Sequence, residues 1–191
     1  MRPKLVAVGT SLGGFMALQT LLGGLPADFP LPVAVVQHRG QDSDDTFISM
    51  LQKKTRLRVE EAEDKAELAG GKVYLAPSDY HLLVEPGHIA LSTEGPVISA
   101  RPSIDVLFES AAEAYPGGVV GLLLTGASKD GAVGMLRIKE SGGFTIVQDP
   151  ATAECAVMPA AAIAMGAADK VLPLGEIASF LMELVRNKAR P

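Results

Sequence analysis

A chain of 191 residues with 48% hydrophobic and 20% charged residues, 20 Gly and 13 Pro, is long enough to bury a sizeable core and excludes the disordered and fibrous classes. Its formal net charge of −5 leaves no basic footprint for nucleic acid or an anionic membrane surface. The lone Cys155 excludes an internal disulfide and a cysteine-based zinc site, and no apolar run reaches the roughly 18 residues of a membrane span or resembles a signal peptide. One cytoplasmic domain covering residues 1–191 is expected.

Short apolar runs rich in Val and Leu, bounded by Gly or Pro, alternate with stretches of helical periodicity, which is the α/β pattern. Lys4 to Gly9 is the first predicted strand, followed by a helix from Gly13 to Leu22 with Phe15, Leu18 and Leu22 on one face. Pro32 to Gln37 is a second strand, Asp45 to Lys54 a helix, Arg58 to Ala62 a short strand, and Lys72 to Ala76 a strand ended by Pro77. His81 to Ser92 breaks the rhythm: HLLVE and HIALS flank Pro86-Gly87, a tight-turn dipeptide, and predict an antiparallel hairpin. Pro102 blocks helix at Arg101, and Ser103 is placed to cap a helix running through Asp105, Phe108 and Ala112 to Tyr115. Gly118 to Leu124 is a strand, Gly131 to Glu140 a helix and Phe144 to Gln148 a strand. An alanine-rich helix from Pro159 to Met165 and a last helix from Gly175, with Ile177, Phe180, Leu181 and Leu184 on one face, complete the chain. Fully apolar strands imply burial on both sheet faces.

The sharpest motif is Gly9-Thr10-Ser11-Leu12-Gly13, a G-x-S-x-G between a predicted strand and a predicted helix. Its glycines permit a tight turn, and the unpaired N–H groups at the following helix start, Leu12 N–H first among them, face a developing oxyanion. A glycine-rich strand-to-helix turn can also bind phosphate. Neither this turn nor Gly126 to Gly131 continues into the Lys-Ser/Thr of a P-loop, however, and no G-x-G-x-x-G is present. Of the three histidines, His38 follows the second strand directly and shares the carboxyl edge of a parallel sheet with Ser11. His81 is the runner-up base, and His88 lies within the hairpin as a surface residue. Asp130, beyond GVVGLLL and the turn Thr125-Gly126-Ala127-Ser128-Lys129, is the carboxylate expected to orient the base. Its alternative role is an N-cap of the helix it opens; Asp79, Asp105 and Asp149 are less well-placed competitors. Three strands thus deliver a Ser-His-Asp set to one edge. The cluster Glu60, Glu61, Glu63 and Asp64 reads as a solvated face, Met135, Met158 and Met165 as core filler, and Cys155 as a small buried residue. No cofactor or metal is called for.

The order Ser, His, Asp differs from the Ser, Asp, His order of α/β-hydrolases. The segments VGTSLGG, VVQHRG, VYLAPSDYHL, RPSIDVLFESAA, LLLTGASKDGAVGM and GGFTIVQDPATAECAVMPAAAI, in this order and spacing over nearly the whole chain, resemble the CheB-type methylesterase catalytic domain of bacterial chemotaxis. The resemblance implies a doubly wound, mainly parallel α/β sheet with helices on both faces and an antiparallel β-hairpin. It implies hydrolysis of glutamate γ-methyl esters on chemoreceptors, with receptor glutamine deamidation as a related activity, and places the family's catalytic residues on Ser11, His38 and Asp130. The substrate partner is then a methylated chemoreceptor or related signalling protein, with no nucleic acid and no membrane insertion. Family members typically carry a phosphorylatable receiver domain ahead of this one, and 191 residues leave no room for it: the chain is either an excised domain or one controlled differently. The family's usual T-G-M-G turn reads Thr125-Gly126-Ala127-Ser128, and Leu12 follows the serine where a small or hydroxyl-bearing residue is common, so Leu12 and Ala127 mark the oxyanion and pocket region. The rival readings are a non-catalytic module that binds a signalling partner through the same edge, and a nucleotide-binding domain. Arg39 and Lys129 flank the site, either as contacts for an anionic partner helix or as solvated surface charges.

Overall fold

A computed structural model describes residues 2–38 and 46–188 of the chain. The elements run β1 (Leu5–Thr10), α1 (Gly14–Gly23), β2 (Val33–Gln37), α2 (Thr46–Gln52), β3 (Arg58–Glu61), β4 (Lys72–Leu75), β5 (His81–Glu85), β6 (His88–Ser92), α3 (Ile104–Ala114), β7 (Val119–Leu123), α4 (Ala132–Glu140), β8 (Phe144–Gln148), α5 (Val157–Ala164), β9 (Lys170–Leu172) and α6 (Leu174–Lys188). A single 3-10 turn, Pro150–Thr152, lies between β8 and α5.

Seven strands form one sheet in the order β3-β4-β2-β1-β7-β8-β9, and every pairing in it is parallel. The chain moves outward from β1 through β2 on one side, then returns to build on the other side from β7. That reversal splits the strand ends beside β1 into a crevice, where open α/β sheets take their ligands. The hairpin β5-β6 forms a separate antiparallel sheet and covers part of one face. As expected for strands between two helical layers, β1, β2 and β7 are buried along their whole length.

The two-residue period of the strands sorts their side chains into two cores. Val6, Val8, Val33 and Val35 pack with Leu18 and Leu22 of α1, Leu51 of α2 and Ile177 and Leu181 of α6. Leu5, Ala7, Ala34 and Val36 pack on the other face with Phe108 of α3, Met135 and Ile138 of α4, Met158 of α5 and Leu82 and Ile89 of the hairpin.

The predicted elements all appear, most with ends shifted by one or two residues, and Asp45 of the predicted second helix lies outside the described residues. Two differences have physical causes. The alanine-rich helix starts two residues before Pro159, because proline in a first turn lacks an N–H that would have no intrahelical partner there. The edge strand β9 was not anticipated: three residues, one of them a lysine, are too few to show a period. Met135 and Met158 are buried, whereas Met165 is 43% exposed, since it is the C-cap of α5 and not part of its inner face.

Helices α3 and α4 approach closely at Gly134, where a Cβ would sit 2.6 Å from Phe108 Cβ and 3.1 Å from the Asp105 backbone. Gly134→Ala should therefore destabilise the fold by about 1 to 3 kcal/mol through overpacking, despite alanine's higher helix propensity. Urea unfolding checks this, and an unchanged or raised midpoint would contradict it.

Candidate active site

Ser11 follows β1 in a turn that leads straight into α1. Gly13 caps the helix in the left-handed region at φ 78° with no side-chain cap, so the tightness of the turn rests on a residue without Cβ. A Cβ at Gly13 would also lie 2.6 Å from Glu154 Cβ. The turn is tied to its neighbours by main-chain and threonine bonds. Ser11 N–H donates to Thr125 O at 2.9 Å, Thr10 Oγ1 donates to the same carbonyl at 2.8 Å, and Thr125 Oγ1 donates to Leu12 O at 2.8 Å. Gly126 lets the two turns meet, since a Cβ there would be 2.9 Å from Ser11 Cβ. Among the described residues, Leu12 and Gly13 give their backbone N–H to no protein acceptor, which leaves two donors beside Ser11 for an oxyanion.

His38 stands immediately beyond β2, and its backbone N–H donates to Thr10 O at 3.1 Å. Gln37, the last residue of β2, bridges the two turns: its Nε2 donates to Ser11 O at 2.8 Å and to His38 O at 2.9 Å. Sequence reading passed over Gln37, because a glutamine closing an apolar strand carries no motif.

Asp130 is fully buried, and His38 Nε2 lies 2.8 Å from its Oδ2. Oδ2 also accepts from Ile104 N–H at 2.7 Å, while Oδ1 accepts from Ser103 Oγ at 2.9 Å and Asp105 N–H at 3.0 Å. Burial alone would raise this carboxyl, but the bonds from His38, Asp105 and Ile104 outweigh it and hold Asp130 below the ordinary carboxylate value. An ionised carboxylate can only accept, so His38 Nε2 carries the proton and Nδ1 is left as the ring's acceptor. The expected alternative role of Asp130 takes a different form. The N-cap of α4 is Gly131, with no side-chain cap, and Asp130 instead satisfies the first two N–H groups of α3.

Ser11, Leu12, Gly13, Gly14, Phe15, Met16, Gln37, His38 and Glu154 line one depression of about 480 Å³. No hydrogen bond joins Ser11 Oγ to the imidazole in this structure; both residues line the same depression. Glu154 is the lining carboxylate that sequence reading missed, brought in by the loop before α5. Leu12 is 54% exposed on the rim, whereas Ala127 is exposed in its turn and is not among the lining residues. Ser128 accepts the Asp130 N–H at 3.0 Å and so shapes that turn. Lys129 is exposed, and Arg39 lies outside the described residues. A second groove, about 410 Å³ and lined by Glu109, Glu113, Arg137 and Glu140 among others, holds neither Ser11 nor a histidine among its lining residues.

The competing residues are occupied elsewhere. His81 Nδ1 accepts the Ser103 N–H at 3.2 Å and its Nε2 donates to Gly95 O at 3.1 Å, so both nitrogens of this buried ring are committed to backbone. His88 pairs with Glu85 at 2.9 Å in the hairpin. Asp149 accepts from Ala151 N–H at 2.9 Å and caps the 3-10 turn. Asp79 lies 3.7 Å from Arg101. Glu60 bonds Arg58 and Lys72, and Asp64 accepts from Leu91 N–H. Cys155 is half-buried rather than part of the core, its N–H on Thr125 Oγ1 at 2.9 Å.

A serine on a sharp strand-to-helix turn, an imidazole backed by a buried carboxylate and free main-chain donors together make up the equipment for acyl transfer. Residues 6–181 match the family model described as CheB methylesterase. The chain belongs to the CheB methylesterase family. A crystal structure titled Thermotoga maritima CheB methylesterase catalytic domain superposes with a TM-score of 0.92 at 36% identity, over 97% of this chain and 100% of that one. A relative from Leptospira interrogans is 44% identical over 98% of this chain and 97% of its own length. Protein-glutamate methylesterase/protein-glutamine glutaminase 2 of Anaeromyxobacter dehalogenans is 45% identical over 97% of this chain, which spans 54% of that protein. No described helix is long and apolar enough to cross a membrane.

The two buried carboxylates of this CheB-family site titrate in opposite senses. Asp130 contributes stability that is complete above its unfolded value and is lost as pH falls through its depressed folded value. Asp105, pushed up to about 6 chiefly by burial, binds its proton more tightly in the fold, so its contribution is complete below about 4 and is lost as pH rises through about 6. Between those limits the parent should lose stability relative to Asp105→Asn, by on the order of 2 to 3 kcal/mol in all. Urea unfolding of both proteins across pH 4 to 7 measures the gap; a difference constant with pH would refute the assignment.

Proposed function

We propose that this chain hydrolyses glutamate γ-methyl esters on a methylated chemoreceptor or related signalling protein, with deamidation of glutamine side chains as the second reaction of the same site. Ser11 is the nucleophile, His38 the general base and Asp130 the residue that orients and charges the base. The observation that carries this reading is the His38–Asp130 bond of 2.8 Å at the edge of the depression that Ser11 shares, in a chain of the CheB methylesterase family. Support for the reaction pair comes from a relative 45% identical and named for both activities; Protein-glutamate methylesterase FrzG of Myxococcus xanthus, 43% identical over 95% of this chain, supports the esterase reaction alone.

The proposed steps are those of acyl transfer. His38 Nδ1 takes the Ser11 proton as Oγ attacks the ester carbonyl, and the imidazolium is stabilised by Asp130. The carbonyl oxygen becomes an oxyanion within reach of the Leu12 and Gly13 N–H groups at the start of α1. His38 then returns the proton to the leaving methanol, or to ammonia from a carboxamide. Water repeats the sequence on the acyl-enzyme and leaves a carboxylate. Gln37 keeps the Ser11 and His38 turns in register.

Ser11→Ala should lower methanol release by several orders of magnitude, since members of such a set act as a unit. Release within tenfold of the parent would overturn the nucleophile. Gln37→Leu removes both bridging bonds without a new charge and should lower kcat on a small methyl ester tenfold or more, a loss of about 1.4 kcal/mol of transition-state stabilisation. Steady-state kinetics on the folded variant check this; an unchanged kcat would leave Gln37 no part in alignment.

A further inference from the structure

The start of α3 and the start of α4 are crossed. Asp130, one residue before the cap of α4, accepts the N–H groups of Ile104 and Asp105 on α3. Asp105, in the first turn of α3, accepts the Gly134 N–H of α4 at 2.7 Å. The first turn of α4 bonds a carboxylate of α3, the first turn of α3 bonds the carboxylate that precedes α4, and the two acids are joined by the Asp105 N–H to Asp130 Oδ1 bond of 3.0 Å. Asp105 is 4% exposed. For a cap alone an uncharged side chain would serve, since Asn and Ser cap as well as Asp, so a second buried acid beside Asp130 is an electrostatic cost that capping does not explain.

We propose that Asp105 is a positioning residue for the esterase reaction: fixed to α4 and bonded to Asp130 through its own N–H, its carboxylate strengthens His38 as a base by acting through Asp130. This rests on the acyl-transfer reading above. In that reaction positive charge appears on His38 as Ser11 loses its proton. Asp130 meets that charge directly, and a second negative charge behind Asp130, in a water-poor interior, adds to the attraction. The groups bearing on Asp105 are few. Asp130 and Glu109 push its proton affinity up and the Gly134 and Gly131 N–H groups push it down. His38 lies across Asp130, and β5 contributes His81, which reaches the start of α3 through the Ser103 N–H. β1, β7 and the first turn of α4 carry no ionisable side chain.

The test separates charge from scaffolding. Ring-proton NMR follows the three histidines of Ser11→Ala and of Ser11→Ala/Asp105→Asn, with His38 assigned by loss of its signal in His38→Gln. Asparagine keeps an oxygen for the Gly134 N–H and removes the charge. The His38 midpoint should fall by half a unit or more, roughly threefold in proton affinity, with His88 unmoved; an unmoved His38 overturns the proposal. Even without the second variant, the His38 curve of Ser11→Ala alone should show coupling to a group titrating near about 6, and a single-proton curve overturns it. On a methyl ester, Asp105→Asn should lower the kcat/KM plateau and move its acid limb to lower pH. A lower plateau with an unmoved limb means that Asp105 only holds α4, and it too overturns the proposal. Because the NMR proteins need no turnover, absence of methanol release by the parent would count against the function and leave the titration standing on its own result.

Discussion

The buried carboxylate of Asp130 is the point on which the site depends. Its two oxygens accept from His38, Ile104, Ser103 and Asp105. A buried charge is tolerable only when its lone pairs are met in this way, and the four donors come from two parts of the fold distant in sequence: His38 just beyond β2, and the consecutive residues Ser103, Ile104 and Asp105 at the start of α3. Folding the charge therefore fixes the helix start and the imidazole together. A carboxylate so saturated has little freedom to follow the histidine, and the ring orientation is set by the scaffold.

The sheet supplies the rest. Because strand order reverses beside β1, the ends of β1, β2 and β7 open toward one crevice, and the turns that leave them carry Ser11, His38 and Asp130. Parallel pairing keeps those ends level: Thr10 pairs with Gln37, and Gly9 with Leu123. Close approach then demands small residues. Gly14 is one, since a Cβ there would collide with Gln37 Oε1 and come within 2.6 Å of Thr10 Oγ1, the two side chains that tie the Ser11 turn to its neighbours. Glycine at this position thus serves the hydrogen bonds of other residues as much as its own turn.

Much of this was legible in the sequence, for identifiable reasons. Strands such as Val33–Gln37 and Val119–Leu123 are buried on both faces, so they appear as unbroken apolar runs, and a rule about strand ends then places Ser11, His38 and Asp130 on one edge. What stayed hidden depends on contacts between segments distant in sequence. Asp130 was readable as a cap, but not as a cap for α3, which begins 26 residues before it. Gln37 and Glu154 lie in no motif. Met165 had the composition of a core residue and Cys155 that of a buried one, yet the first ends a helix and the second holds a turn by its backbone. The short edge strand β9 draws its order from pairing with β8 and not from its own pattern.

The departures from the family's usual turns now acquire a physical meaning. Leu12 stands where the resemblance implies a small or hydroxyl-bearing residue, but the group proposed to meet the oxyanion is its backbone N–H, which no protein acceptor takes among the described residues, so the proposed donor does not depend on the side chain. Its side chain instead forms an exposed apolar rim with Met16, which is 60% exposed. Ala127 is exposed and is not among the residues lining the depression, while Ser128 turns its hydroxyl to the Asp130 N–H. The substitutions therefore fall on two separate properties. One shapes the exposed rim of the depression, and the other reinforces the turn that holds the carboxylate, while the atoms proposed to carry out acyl transfer keep their places.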